Sequence, residues 1–245
     1  MQRSFQDAYE VLYTGRSYQH EIGMVDALLD RAMGAAGPAK GKPPRHLLEL
    51  GCGPGLRLSL LRQWHGKYRP EGLDKDPMML ALAAKRVPGA PLHEADIRTM
   101  ELGTTFDAIT CLFGMIGYLQ TPEELTQTFA RIRTHLRVGG VFLLEPWLTP
   151  DLVTDRYVNS DYAKRGGLDV ARMNFTRVEG NKSHLTIHYL IGSEAGVHHM
   201  EQQRVLTLFT HDEYRAAFRA AGFGEPTLEA YGPQGRGLYV ATRGE

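Results

Sequence analysis

The sequence predicts an α/β fold: a mostly parallel sheet with helices on both faces, an N-terminal helical cap and an inserted antiparallel meander. Three observations carry that prediction. From Leu47 to Glu145, strand-like apolar runs alternate with segments of helical apolar spacing, the rhythm of βαβ units. The first of those runs ends in a glycine cluster, Glu49-Leu-Gly-Cys-Gly-Pro-Gly55, at a strand-to-helix turn. After Pro150 the pattern changes to apolar–polar alternation broken by short polar turns, as antiparallel strands require.

The elements follow in order. Residues 5–13 and 18–34 have helical spacing, the second through Ile22, Val25, Leu28 and Leu29, and run into the linker Gly34-Ala-Ala-Gly-Pro-Ala-Lys-Gly-Lys-Pro-Pro44, so 1–44 reads as a helical cap with its linker. The core, 45–150, contains strands at 47–50, 69–73, 91–94, 107–112 and 140–145 and helices at 56–64, 77–86 and 121–136. The last helix opens with Thr121-Pro-Glu-Glu124, a hydroxyl cap, a first-position proline and acids in the first turn, and is expected to stop before Gly139-Gly140. The insertion, 151–210, has strands at 168–178, 183–192 and 196–209. A completing segment, 211–245, adds a helix at 211–221 and strands at 226–231 and 237–242, joined by Gly232-Pro-Gln-Gly-Arg-Gly237.

Bulk properties narrow the function. With 245 residues, 42% hydrophobic, the chain can bury a full core and fits one elaborated domain better than two complete ones. Basic and acidic residues number 28 each, so no global field draws in nucleic acid or an anionic membrane, and neither is expected as a partner. The two cysteines, Cys52 and Cys111, fit a reducing compartment, and Met1–Glu10 lacks an apolar signal core; a cytoplasmic location is expected. No metal site is expected.

The glycine cluster is more specific. A dinucleotide turn from Gly51 needs its third glycine at position 56, where Leu56 stands; the glycine comes one residue early, at Gly55. Such glycines let the backbone approach a ligand, and the helix that follows offers free N–H groups to an anion. The next strand ends in Asp74, placed to grip a ribose diol, as in sites for NAD and for S-adenosylmethionine. Glu49 separates the two: it would repel a pyrophosphate but can meet an ammonium, and the methionyl end of S-adenosylmethionine carries one. Asp96 closes the following strand and can accept from an adenine amino group, with Ile97 against the ring. The cofactor candidates are Tyr18, Glu49, Gly51, Cys52, Gly53, Gly55, Asp74, Met78, Met79, Asp96, Ile97 and Leu112.

Together Glu49–Gly55, Asp74, Ala95-Asp96 and the order of elements resemble the class I S-adenosylmethionine-dependent methyltransferases, which implies a Rossmann-like seven-stranded sheet with an antiparallel last strand. Across nearly the whole chain, Tyr9-Glu-Val-Leu-Tyr13, Gly72-Leu-Asp74, Leu92-His-Glu-Ala-Asp-Ile-Arg98, Gly117-Tyr-Leu119, Glu145-Pro-Trp147, Leu206-Thr-Leu-Phe209 and Gly232–Leu238 are similar to bacterial N,N-dimethyltransferases of nucleotide-linked deoxyamino sugars. The resemblance implies two methyl transfers to an amine of a TDP-linked sugar, as in macrolide sugar biosynthesis. The chain departs at Thr14-Gly-Arg-Ser17, shorter than the family's loop, which would reshape the lid over the cofactor, and matches weakly over 151–205.

In an open α/β sheet the ligand lies beyond the carboxyl ends of the strands, so the loops after 50, 74, 96, 112 and 145 share one mouth with the 232–237 hairpin. Tyr9, Tyr118 and Glu145 are the candidates for orienting the amine, and Tyr9, Trp147 and Arg236 for holding the acceptor. Arg236 stands between two glycines, free of bulky neighbours, and its fork suits a phosphate. Tyr18 is expected over the cofactor. Arg156, Arg165, Arg172, His188, His198 and His199 read as ordinary polar faces of strands. Two other readings stay open: a methyltransferase for another small amine or metabolite, and a non-catalytic S-adenosylmethionine-binding protein. A base-modifying enzyme is disfavoured because Leu112-Phe-Gly-Met-Ile-Gly117 replaces an Asp/Asn-Pro-Pro-Tyr motif. The meander can cover the active site, pair with another subunit in a homodimer, or do both.

Overall fold

The computed structural model describes residues 5–14, 18–35, 37, 40–64 and 66–245. The shortened loop at 15–17 lies outside them. Strands β1 (Arg45–Leu50), β2 (Tyr68–Asp74), β3 (Leu92–Glu94), β4 (Phe106–Cys111), β5 (Leu136–Leu144), β10 (Thr227–Glu229) and β11 (Leu238–Thr242) form a seven-stranded sheet in the order β10-β11-β5-β4-β1-β2-β3. β11 is antiparallel to both neighbours, and the pairs β1–β2, β1–β4, β2–β3 and β4–β5 are parallel. The chain moves outward through β1, β2 and β3, then returns to place β4 on the other side of β1. That reversal opens a crevice at the carboxyl ends of β1 and β4.

Because successive side chains of a strand face opposite ways, Leu47 and Leu48 feed two different cores. On one face, Ile22, Val25, Leu28 and Leu29 of α2 (Tyr18–Met33) and Leu61 of α3 (Leu56–Arg62) pack on Leu47, Ala108, Val141 and Leu143. On the other, Leu125, Phe129 and Ile132 of α5 (Pro122–Thr134) and Tyr214 and Phe218 of α6 (His211–Ala220) pack on Leu48, Ile109 and Phe142. α4 (Pro77–Arg86) is capped by Asp76, whose side chain accepts from the Met78 N–H. No helix among the described residues is long and apolar enough to cross a membrane.

β6 (Tyr157–Arg165), β7 (Leu168–Glu179), β8 (Lys182–Ser193) and β9 (Gly196–Thr207) form a second, antiparallel sheet. Its inner face, with Val170, Leu185, Ile187, Tyr189 and Ile191, packs on Ala8 and Val11 of α1 (Phe5–Thr14). Tyr162, Met173, Phe175 and Leu190 stand exposed on the sheet.

Three expectations change. The meander has four strands, since the polar edge strand β6 is mostly exposed along its length and leaves no apolar alternation to read. The N-terminal segment is not one cap: α2 covers the main sheet and α1 underlies the second. Gly139-Gly140 does not cap α5. That helix ends at His135, whose Nδ1 bonds the Arg131 carbonyl at 2.9 Å, and the strand begins at Leu136. The two glycines instead form an irregularity within β5, where the Gly139 N–H and Gly140 carbonyl pair with Arg243.

Candidate active site

The glycine loop after β1 has the backbone its sequence requires. Gly51, Gly53 and Gly55 all have left-handed φ, at 64°, 52° and 74°, and a Cβ at Gly51 would stand 2.9 Å from Met115 Cγ. Asp74 closes the loop from the neighbouring strand: its Oδ2 accepts from the Gly53 N–H at 2.8 Å and its Oδ1 from the Asp76 N–H at 3.0 Å. A carboxylate has about four lone-pair sites, so it retains capacity for a diol. The Tyr9 hydroxyl stands over the loop, 4.0 Å from where a Gly53 Cβ would be. Burial pushes the Tyr9 phenol well above its ordinary range, so it keeps its proton.

Beneath the loop lies a buried ionic cluster. Arg57, on the first turn of α3, donates Nε to Glu21 of α2 and Nη1 to Glu49 of β1, both at 3.2 Å. Tyr18 and Phe113 flank its guanidinium, with ring centroids 5.1 and 5.7 Å away. Glu49 is 1% exposed and its Oε2 has no hydrogen-bond partner. Burial, only partly offset by Arg57, pushes its carboxyl up to about 7. A buried carboxylate oxygen left open at the end of a glycine loop suits a ligand ammonium. With Asp74 beside it, this donor set fits S-adenosylmethionine.

The other candidates are less uniform. Cys52, Met79, Ile97 and Leu112 are buried, while Met78 is exposed. Asp96 is engaged by its own turn: Oδ1 accepts from the Arg98 N–H and Nε, both at 2.9 Å, and Oδ2 from Nη2 at 2.7 Å. Glu145 is fully buried, and burial pushes its carboxyl upward. Its Oε2 accepts from the Phe113 N–H and its Oε1 from the Gln234 N–H, both at 2.7 Å. The carboxylate thereby holds Phe113 at a φ of 63°, a conformation a bulky residue rarely adopts. Each oxygen takes one backbone donor, so the Glu145 carboxylate anchors Phe113 and Gln234.

Arg236 does not stand clear of bulky neighbours as its flanking glycines led one to expect. Its guanidinium carbon lies 5.0 Å from the Trp147 ring centroid, and its Nη2 is 3.5 Å from Glu145 Oε2. Trp147 donates Nε1–H to Ser183 Oγ at 3.0 Å and so ties the main sheet to the second one. The Tyr118 hydroxyl accepts from Arg204 of β9, and Lys75 Nζ lies 5.9 Å from its ring centroid. Arg172 likewise donates to the Tyr13 hydroxyl and pairs with Asp161. Burial pushes the phenol of Tyr189 up to about 12, with Arg172 and Arg204 opposing it. Arg172, Tyr189 and Arg204 of the second sheet thus cluster with Tyr13 of α1 and with Tyr118, which follows β4.

Sequence reasoning missed Glu21, Arg57, Phe113, Gln234, Arg172 and Arg204 as parts of the site. A signal existed for Glu21, an acid on the apolar stripe of Tyr18, Ile22 and Val25, and for Arg57, a cation between Leu56 and Leu58.

Residues 47–140 match the family model described as a methyltransferase domain. Over 237 residues the chain is 36% identical to the dTDP-3-amino-3,4,6-trideoxy-alpha-D-glucopyranose N,N-dimethyltransferase of Streptomyces venezuelae, covering 96% of this chain and 95% of that one. Among solved structures, Streptomyces venezuelae DesVI superposes with a TM-score of 0.89 at 34% identity, over 99% of this chain and 100% of that one. CalS10 from Micromonospora echinaspora, an amino pentose methyltransferase involved in calicheamicin biosynthesis and solved with S-adenosylmethionine bound, gives 0.82 at 38% identity, over 99% and 98%.

Proposed function

Since the chain belongs to the S-adenosylmethionine-dependent N,N-dimethyltransferases of nucleotide-linked amino sugars, we propose that it transfers two methyl groups in succession to the amine of a TDP-linked deoxyamino sugar. The observation that carries the donor half is the open, buried Oε2 of Glu49 beside Asp74 and the three left-handed glycines. Glu49 would hold the ammonium, Asp74 the ribose diol, and Asp96 with Ile97 the adenine. When bound, S-adenosylmethionine would supply a sulfonium methyl group that the amine lone pair attacks in line, the C–S bond breaking to leave the neutral thioether S-adenosylhomocysteine and the methylated amine then giving up its N–H proton.

The protein's part is alignment and exclusion of water, worth up to about 7–11 kcal/mol when the reacting atoms are held about 3–3.5 Å apart. An amine in this pocket is kept neutral by desolvation and by the nearby positive charge, so it needs no dedicated base. Tyr9 and Tyr118 orient it through phenol oxygens, Tyr9 as a protonated hydroxyl. Glu145 acts one step removed, by fixing Phe113 and the 232–237 hairpin. Arg236, stacked on Trp147, faces the diphosphate. Both cysteines are buried free thiols, which supports a reducing, cytoplasmic setting.

Labelled S-adenosylmethionine incubated with TDP-amino sugars and, separately, with free amines tests the reading. Label should enter only the nucleotide-linked compounds, with TDP competing; transfer to free amines at equal efficiency overturns the acceptor.

The raised pKa of Glu49 gives a pH signature. Below about 7 the carboxyl must lose a proton before it can hold an ammonium. Affinity for S-adenosylhomocysteine, measured by calorimetry, should rise by up to about tenfold per pH unit below about 7 and level off above it. Glu49→Gln should flatten the acid limb. In the ligand-free protein the same group favours the fold below its ordinary 4.5, and that contribution is lost as pH rises through about 7. An acid limb unchanged by the substitution would place the ammonium elsewhere.

A further inference from the structure

One short hairpin sends two side chains to opposite ends of the site. Between β10 and β11, Gln234 donates its amide N–H to Glu21 Oε1 at 2.8 Å, and its backbone N–H bonds Glu145. Through Glu21 it reaches Arg57 and then Glu49, the donor end. Two residues on, Arg236 lies over Trp147 beside Glu145, the acceptor end.

The hairpin is pinched shut. A Cβ on Gly232 would stand 2.2 Å from the Gly237 carbonyl oxygen, so the two backbones touch there. The Gly235 N–H closes the turn on the Gly232 carbonyl at 2.9 Å, and Gly235 and Gly237 take left-handed φ of 72° and 81°. A loop in contact with itself has little freedom to bend between 232 and 237. Gln234 and Arg236 therefore shift as one body.

We propose that Gln234 is a positioning residue that couples binding of the methyl donor to binding of the acceptor's nucleotide diphosphate. The proposal rests on the reading above that Glu49 takes the donor's ammonium and Arg236 faces the diphosphate. Donor binding fixes Glu49 in its ionised form, which tightens Glu49–Arg57–Glu21 and orders the carboxylate that Gln234 holds. The hairpin is then set, and Arg236 meets the diphosphate already in place. Preorganisation of this kind appears as positive coupling, equal in both directions.

Calorimetry of S-adenosylhomocysteine alone, TDP alone and each in the presence of the other tests this. In the wild-type protein, TDP should tighten S-adenosylhomocysteine by about fivefold or more, with the reciprocal effect equal in size. Gln234→Met keeps the side-chain length and the backbone N–H but removes the amide. It should bring the coupling factor to within about twofold of unity while the separate affinities change less, a pattern that a merely structural role would not produce. Gln234→Ala is titrated alongside, with thermal denaturation confirming the fold of each variant. Coupling that survives in both variants, or is absent from the wild type while both ligands bind, overturns the proposal and leaves the acceptor reading intact. Failure of TDP to bind at all overturns both.

Discussion

Replacement of Arg57 by leucine is expected to destabilise the protein by about 3–5 kcal/mol, because removing one partner of a buried ionic cluster leaves the others uncompensated. Arg57 is 8% exposed and is shared by Glu21 and Glu49, which are 3% and 1% exposed. Leucine fills part of the space between the Tyr18 and Phe113 rings but leaves two carboxylates facing apolar surroundings. The loss should be larger at pH 8 than at pH 6. Glu49, already titrating at about 7, takes up a proton still more readily without its cation, and the protonated form removes one of the stranded charges. Combining Arg57→Leu with Glu21→Gln and Glu49→Gln should recover most of the stability, since a wholly neutral cluster no longer carries a buried charge. Urea unfolding at the two pH values measures all of this. A loss below about 1 kcal/mol at pH 8, the size expected for an exposed pair, would show that the cluster is hydrated.

Asp74→Ala should weaken S-adenosylhomocysteine binding by about two to four orders of magnitude. Two charge-assisted hydrogen bonds to a ribose diol, at about 1.5–3 kcal/mol each, set that scale. The loss extends beyond the ligand, because the Gly53 and Asp76 N–H groups lose their acceptor and the glycine loop its tie to β2. Asp74→Asn keeps the shape and one acceptor oxygen, and should fall between wild type and alanine. Calorimetry ranks the three. An alanine variant within threefold of wild type would mean that another group grips the ribose.

Much of the architecture was legible because it is local. Strand and helix periods are written in runs of ten or so residues, and the glycine loop and Asp74 follow from where those runs end. The ionic cluster was not legible, since its partners are far apart in sequence: Glu21 and Arg57 by 36 residues, Glu21 and Gln234 by 213. Nothing in the neighbourhood of Gln234 distinguishes it from a solvated turn residue. Arg236 shows the opposite failure. Its glycine neighbours suggested open space, yet the glycines serve the pinch of the hairpin, and the crowding comes from Trp147, which follows β5. β6 escaped notice because hydrogen bonding to β7, not a buried face, makes it a strand.

The helix that roofs the glycine loop has a bearing on how the chain comes together. α1 sits at residues 5–14, yet its apolar side rests on strands that begin at Leu168, and its Tyr13 is bonded to Arg172, 159 residues downstream. During synthesis the loop, Asp74 and the first parallel strands all emerge before the second sheet that supplies α1 with its apolar seat, although Glu10 of α1 also pairs with Arg86 of α4. The apolar seat of the helix that carries Tyr9 is therefore complete only once the second sheet has formed. A chain cut off after β5 would possess the loop's floor and lack the strands on which α1 rests, so the roof over the loop depends on residues more than 150 positions downstream of the helix that forms it.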